Sequence, residues 1–152
     1  MSYPLGTLGD GVADELEVRR LAGVDGDVEV VLACEGQLFD KPGNLANARL
    51  QLQRLRGRAH QLHTGVVLAH NQAIVWQHCD TAHLVMRPFS EAFLQSYLAA
   101  AGEAIWSTVG AYEIEGLGIQ LLEHVEGDHF TVIGLPLMPL LAELRARGVV
   151  AA

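Results

Sequence analysis

Apolar residues fall into blocks separated by glycine, proline and short polar runs. Val28 to Ala33 is a β-branched run broken only by Glu29, which predicts a strand. Glu35-Gly36 supplies a turn, and Gln37 to Phe39 continues the strand pattern briefly before Lys41-Pro42. From Asn44, a suitable N-cap, the apolar positions Leu45, Ala48, Leu52 and Leu55 recur at helical spacing, and Gly57 ends the helix as its C′ residue. Gln61 to Ala69 and Ala73 to Val85, joined by His70-Asn71-Gln72, predict a long hairpin. Ser90 caps a second helix over Glu91 to Ala101, with Phe93, Leu94, Tyr97 and Leu98 turned inward and Gly102 as its stop.

The stretch from Gly110 to Pro136 organises the remainder of the chain. Gly110, Gly116 and Gly118 punctuate its start, and glycine lets a backbone take positive φ and approach a ligand closely. The run Ile119 to Val125, the turn Glu126-Gly127-Asp128 and the run Phe130 to Leu135 then predict a β-hairpin. Leu137 to Arg147 reads as a last helix closed by Gly148, its arginines near the end where the helix dipole favours positive charge. Residues 1–27 are glycine-rich and acidic, with Asp14 to Ala22 alone patterned for a helical turn or two. That segment is expected to be weakly structured, ahead of one domain over 28–152. The order of elements predicts a central mixed sheet flanked by helices, in the α/β or mixed α+β class.

Composition narrows the function. The 152 residues are 50% hydrophobic, yet no apolar run approaches the roughly 20 residues that span a bilayer. The start, Met-Ser-Tyr-Pro-Leu-Gly, has neither a basic block nor an apolar one, so a cytoplasmic protein without membrane contact is expected. Cys34 and Cys79 stand far apart, which suggests buried thiols rather than a disulfide framework or structural zinc. Net charge is −8, and residues 1–35 hold eight acids against two bases. Such a chain is a poor partner for nucleic-acid polymers, whose affinity comes from clustered cations. A small anionic ligand needs only a local basic pocket.

Several residues carry candidate chemistry. Lys41 is the only lysine beside nine arginines, and before a proline that fixes the backbone its ammonium is either solvated at a strand end or serves a phosphate as a compact point charge. Arg49, Arg54, Arg56 and Arg58 serve either phosphates or a solvated helix face, and their spacing favours the face. Glu113 and Glu115 are either a solvated turn or acceptors for the amino or imino edge of a nucleobase. His60 and His63, and His78 with Cys79, Asp80 and His83, are metal ligands by type. Residues three or five apart in a strand point to opposite faces, so neither set converges within its own segment.

Three ordered motifs carry a resemblance. They are Phe39-Asp-Lys41-Pro42-Gly43, then Leu55-Arg-Gly57-Arg58-Ala-His60-Gln-Leu-His63-Thr64-Gly65, then Gly110-Ala-Tyr with Glu115-Gly116, Glu123, Glu126-Gly127-Asp128 and Val132-Ile-Gly-Leu-Pro136. Together they resemble the Maf family of nucleoside triphosphate pyrophosphatases, over roughly Glu29 to the end. The resemblance implies an elongated α/β fold with a cleft between two lobes, similar to inosine triphosphate pyrophosphatases. It also implies hydrolysis of a nucleoside triphosphate to monophosphate and pyrophosphate with a divalent metal, Mg²⁺ or Mn²⁺.

By the same resemblance, Lys41 belongs to the active site. Glu29 stands where the family carries its general-base aspartate in a Gly-Ala-Asp-Thr or Gly-Ala-Asp-Gln motif. Glu115 falls at a position that bears on substrate choice, and Glu-Gly there leans toward the branch acting on 7-methyl-GTP. The family's opening Ser-x-Ser-x-Arg-Arg motif and its Lys-Ala helix have no counterpart here, since Asp14-Glu15 and Arg19-Arg20 differ in order and spacing. First-lobe elements are therefore expected to be missing, through loss or through a start partway along the ancestral frame. The alternative reading is a catalytically impaired relative that binds a nucleotide or a protein partner. A missing first strand would expose a sheet edge and favour a homodimer.

Overall fold

Glu35 and Gly36 both take positive φ, 51° and 77°, the pair of left-handed conformations that a two-residue hairpin turn uses. In the computed structural model they fold β1 (Gly26–Cys34) onto β2 (Gln37–Phe39), with Leu32 opposite Phe39 and Cys34 opposite Gln37. The structure describes residues 26–71 and 73–151, and ahead of them the backbone of Pro4–Leu5, Leu16–Glu17 and Arg19–Arg20. The described part of Asp14 to Ala22 is strand rather than the expected helical turn: Leu16–Glu17 pairs with Pro4–Leu5, and Arg19–Arg20 with β1. The rest of the expected N-terminal segment lies outside the described residues.

The other edge of β1 pairs with β3 (Ala59–His70), from Gly26 opposite Leu68 to Ala33 opposite Gln61. A turn at Asn71, also at positive φ, leads from β3 into β4 (Ala73–Met86), and β5 (Leu122–Glu126) closes the far side with His83 opposite Glu126. Every ladder among the described residues is antiparallel. Hairpins join β1 to β2 and β3 to β4, and antiparallel pairing is what a short hairpin enforces. The class is α+β, helices lying against an antiparallel sheet.

Alternation sets the core. His60, Leu62, Thr64 and Val66 of β3, Leu32 of β1, and Ala82, Leu84 and Met86 of β4 are all buried, the period of two of a covered face. Gly65 and Val67 of β3 and Ala33 of β1 are buried as well, so the opposite face is covered at those positions. Against the first face pack Ala48, Leu52 and Leu55 of α1 (Leu45–Leu55) and Leu94, Tyr97 and Leu98 of α2 (Glu91–Ala101). Asn44 accepts from the Asn47 amide at 2.9 Å, and Ser90 accepts from Phe93 at 3.1 Å, so both helix starts use the caps their sequences offered. Leu45, in the first turn of α1, is 50% exposed and does not join the face its spacing suggested.

Glu91 settles the use of the arginines on α1. It takes an ion pair from Arg49 and a second from Arg56 at 3.3 Å, fastening α2 to α1. Arg58 bonds the Arg54 carbonyl and lies 3.6 Å from Glu35.

The second expected hairpin is not formed. Leu117–Leu121 is a 3₁₀ turn, β5 pairs with β4, and 129–133 is a short helix, α3 (His129–Ile133). Asp128 caps α3 through the Thr131 amide at 3.1 Å, and Gly134 ends it at φ 119°. Its buried residues, Thr131 and Val132, are adjacent, which no strand facing one core surface allows. The Thr131 hydroxyl donates to Asp80 at 2.8 Å and its carbonyl accepts from Thr64 at 2.9 Å, pinning α3 to β3 and β4. A last helix, α4 (Leu137–Ala146), ends near Gly148 as expected.

Candidate functional site

The outer edge of β1 has two short partners, Arg19–Arg20 opposite residues 27 and 28, and β2 opposite residues 32 to 34. Between them, beside residues 29–31, lies a cleft of about 720 Å³. Its wall includes Val28, Glu29, Val30 and Val31 consecutively. Consecutive strand residues point to opposite faces, so a cleft that meets all four runs along the strand edge. Val30 packs against the core and Glu29 buries its Oε2 atom.

Lys41 lies on a second wall, just beyond β2. Its loop is tied down by Asn47, whose amide donates to the Pro42 carbonyl at 3.0 Å, and by Gly43, whose N–H donates to the Trp106 carbonyl at 2.8 Å. The backbone is thus anchored on the C-terminal side of Lys41.

The third wall comes from residues 107–109 and 112–115, and its shape begins one step earlier. Gly110 has φ 78° and Ala111 has φ 60°, and left-handed backbone costs a non-glycine residue about 1–2 kcal/mol. A Cβ on Gly110 would come within 2.6 Å of Leu32 Cδ1, so this position needs glycine for space as well as for angle. The Tyr97 hydroxyl donates to the Ala111 carbonyl at 2.9 Å, and the Tyr112 hydroxyl meets His60 Nε2 at 2.7 Å with the rings edge to face.

Burial pushes the His60 imidazole down to about 4, offset in part by the Arg58 backbone, although Nδ1 has no partner at full hydrogen-bond geometry among the described residues. Burial raises the Tyr112 phenol, with Tyr97 adding to the shift. A neutral imidazole beside a protonated phenol fixes the roles: Tyr112 donates and Nε2 accepts. Beyond this anchor, Glu113 accepts from Thr108 at 3.0 Å and Glu115 lies 3.8 Å from His129.

Glu29, Lys41 and Glu115, far apart in sequence, thus line one cleft. Asp40, Tyr112 and Glu113 line it too. Of these, Tyr112 was visible only as part of Gly-Ala-Tyr, and Asp40 only as the residue before Lys41. The arginines of α1 do not line it. His60 serves the core, and His63 bonds Thr81 at 2.9 Å while burial and His83 lower its pKa. Cys34 is buried and Cys79 half-buried, both as free thiols whose pKa burial raises.

The cleft offers carboxylate oxygens from Glu29, Asp40, Glu113 and Glu115, the donor type a hard divalent cation takes. Among the described residues no three His, Cys, Asp or Glu side chains are gathered as a ready-made metal group. Magnesium commonly uses one or two carboxylates, water and substrate phosphates, so the donor set fits by chemistry.

A family model described as Maf-like protein matches residues 14–147. The chain is 50% identical over 120 residues to a nucleoside triphosphate pyrophosphatase of Bradyrhizobium diazoefficiens, covering 79% of this chain and 59% of that protein. It is 45% identical over 122 residues to a 7-methyl-GTP pyrophosphatase of Brucella abortus, covering 76% and 61%. A 7-methyl-GTP pyrophosphatase of Mesorhizobium japonicum is 41% identical over 143 residues, covering 94% and 72%. The chain spans about three fifths of the length of the first two relatives.

Proposed function

The chain belongs to the Maf family, and from that premise we propose that it is a nucleoside triphosphate pyrophosphatase. It cleaves between the α and β phosphates to give a nucleoside monophosphate and pyrophosphate. The observation that carries the reading is the single cleft lined by Glu29, Lys41 and Glu115. At about 720 Å³ it has the size of a small-molecule site.

In this reading Lys41 sets its ammonium against phosphate oxygens, where charge develops as the bond breaks. Glu29 takes the proton of the attacking water. Glu115 accepts hydrogen bonds from the donor edge of a guanine-type base, which suits a modified substrate such as 7-methyl-GTP. A divalent cation, Mg²⁺ or Mn²⁺, would be held by Asp40 with water and the substrate phosphates and would supply charge neutralisation there. We assign this work to the cytoplasm. No described helix is long and apolar enough to cross a membrane.

The test is pyrophosphate release from a panel of nucleoside triphosphates, 7-methyl-GTP among them, with Mg²⁺ or Mn²⁺. Release by the unsubstituted chain, reduced to background in Lys41→Gln, is expected. A pure, folded sample with no turnover on any nucleotide would instead support a second reading, a catalytically impaired relative that binds a nucleotide or a protein partner. That reading is favoured by Glu29 itself, whose extra methylene shifts the carboxylate by more than the ~0.5 Å that a preorganised site tolerates. Calorimetry separates the two, since binding without hydrolysis belongs only to the second.

A further inference from the structure

Gln51 stands on α1 behind the cleft and does not line it. Its side-chain amide makes two hydrogen bonds. Nε2 donates to the Asp40 carbonyl at 2.6 Å, and Oε1 accepts from the Gly110 amide at 3.1 Å. Asp40 precedes Lys41 on one wall, while Gly110 opens the left-handed turn that leads to Tyr112, Glu113 and Glu115 on the opposite one. We propose that Gln51 is a positioning residue that sets the distance between the phosphate-facing wall at Lys41 and the base-facing wall at Glu113 and Glu115. The role rests on the nucleotide reading of the cleft.

The chemistry of the side chain is specific. One end must donate to a carbonyl and the other must accept from an N–H, and a carboxamide does both at once. Only one orientation of the amide satisfies both partners, since the flipped one sets oxygen against oxygen and N–H against N–H. Glutamate would keep the acceptor for Gly110 but turn a second acceptor toward the Asp40 carbonyl. Methionine has similar length and makes neither bond. The Gly110 side of the bridge has little freedom to compensate, because Tyr97 holds the next carbonyl and His60 holds the Tyr112 hydroxyl. On the other side, Asp40 and Lys41 lie between the end of β2 and the ties at Pro42 and Gly43, so any adjustment falls on those two residues. Loss of the bridge therefore acts on how far Lys41 sits from the opposite wall.

Two readouts on the full chain test this, amide hydrogen exchange at Gly110 and calorimetric affinity for a GTP analogue with a methylene bridge between the α and β phosphates, with Mg²⁺. Gln51→Met should speed exchange at Gly110 and weaken binding about tenfold, the cost of roughly one hydrogen bond's worth of positioning. Gln51→Glu should keep Gly110 protected and recover part of the affinity, which a loss of general stability would not do. Unchanged exchange in Gln51→Met overturns the bridge. Faster exchange with unchanged affinity overturns its role in spacing the walls. If the unsubstituted chain binds no analogue, the nucleotide reading fails and this role falls with it, an outcome distinct from binding that Gln51→Met leaves intact.

Discussion

Glu29 is one methylene longer than the aspartate that the Maf resemblance implies at its position, and that length is a testable liability. Glu29→Asp should raise pyrophosphate release about tenfold in steady-state assays, whereas Glu29→Gln should bring it to background, because a misplacement of about 1 Å is enough to cost one to two orders of magnitude. His60 makes a prediction of a different kind. Its folded pKa of about 4 lies below the ordinary value near 6.5, so on acidification the unfolded chain protonates first. Its contribution is fully present above about pH 6.5 and declines by about 1.4 kcal/mol per unit down to about pH 4, roughly 3 kcal/mol in all. His63, lowered by burial and by His83, acts in the same direction. Urea midpoints measured between pH 4 and 7 should show this slope, and His60→Gln should flatten it in part. Lys41 was legible as a candidate through its place in the Lys41-Pro42 motif of the family resemblance, because a lone lysine at a strand end is ordinarily just solvated. The His60 to Tyr112 bond was not, because 52 residues separate its ends and neither residue signals the other locally.

The short helix α3 and the turn at Gly110 hold the far side of the cleft. Asp128→Ala removes the cap on the Thr131 amide and should lower unfolding stability by ~1 kcal/mol, read from denaturant midpoints. Gly110→Ala combines positive φ with a 2.6 Å approach to Leu32 and should destabilise by about 2–4 kcal/mol. At this scale the caps on α1 and α2 could be read directly, because Asn44 and Ser90 stand at clear breaks between polar and apolar segments. The identity of α3 could not. Phe130 to Leu135 has no interior polar residue but Thr131, and a short apolar run gives no period to separate strand from helix. What decides it is tertiary, the bonds that Thr131 makes to Asp80 and Thr64.

For the molecule as a whole, helices packed against an antiparallel sheet accompany a cleft along the outer edge of β1 that Glu29, Lys41 and Glu115 line together. The cleft beside that edge also shows apolar surface at Leu38 of β2, 52% exposed, and Ile133 of α3, 42% exposed. Self-association as a homodimer is the expected consequence, and light scattering should return twice the chain mass; a monomer at micromolar concentration would contradict it. The class and most of the element order were legible from periodicity, but the cleft was not, because it is made by where strand partners stop. The most direct test of the central claim is a calorimetric titration of the chain, with Mg²⁺, by the methylene-bridged GTP analogue. One site per chain, lost in Lys41→Gln, is the predicted result. No binding by the folded chain, or equal binding by the variant, would contradict the account.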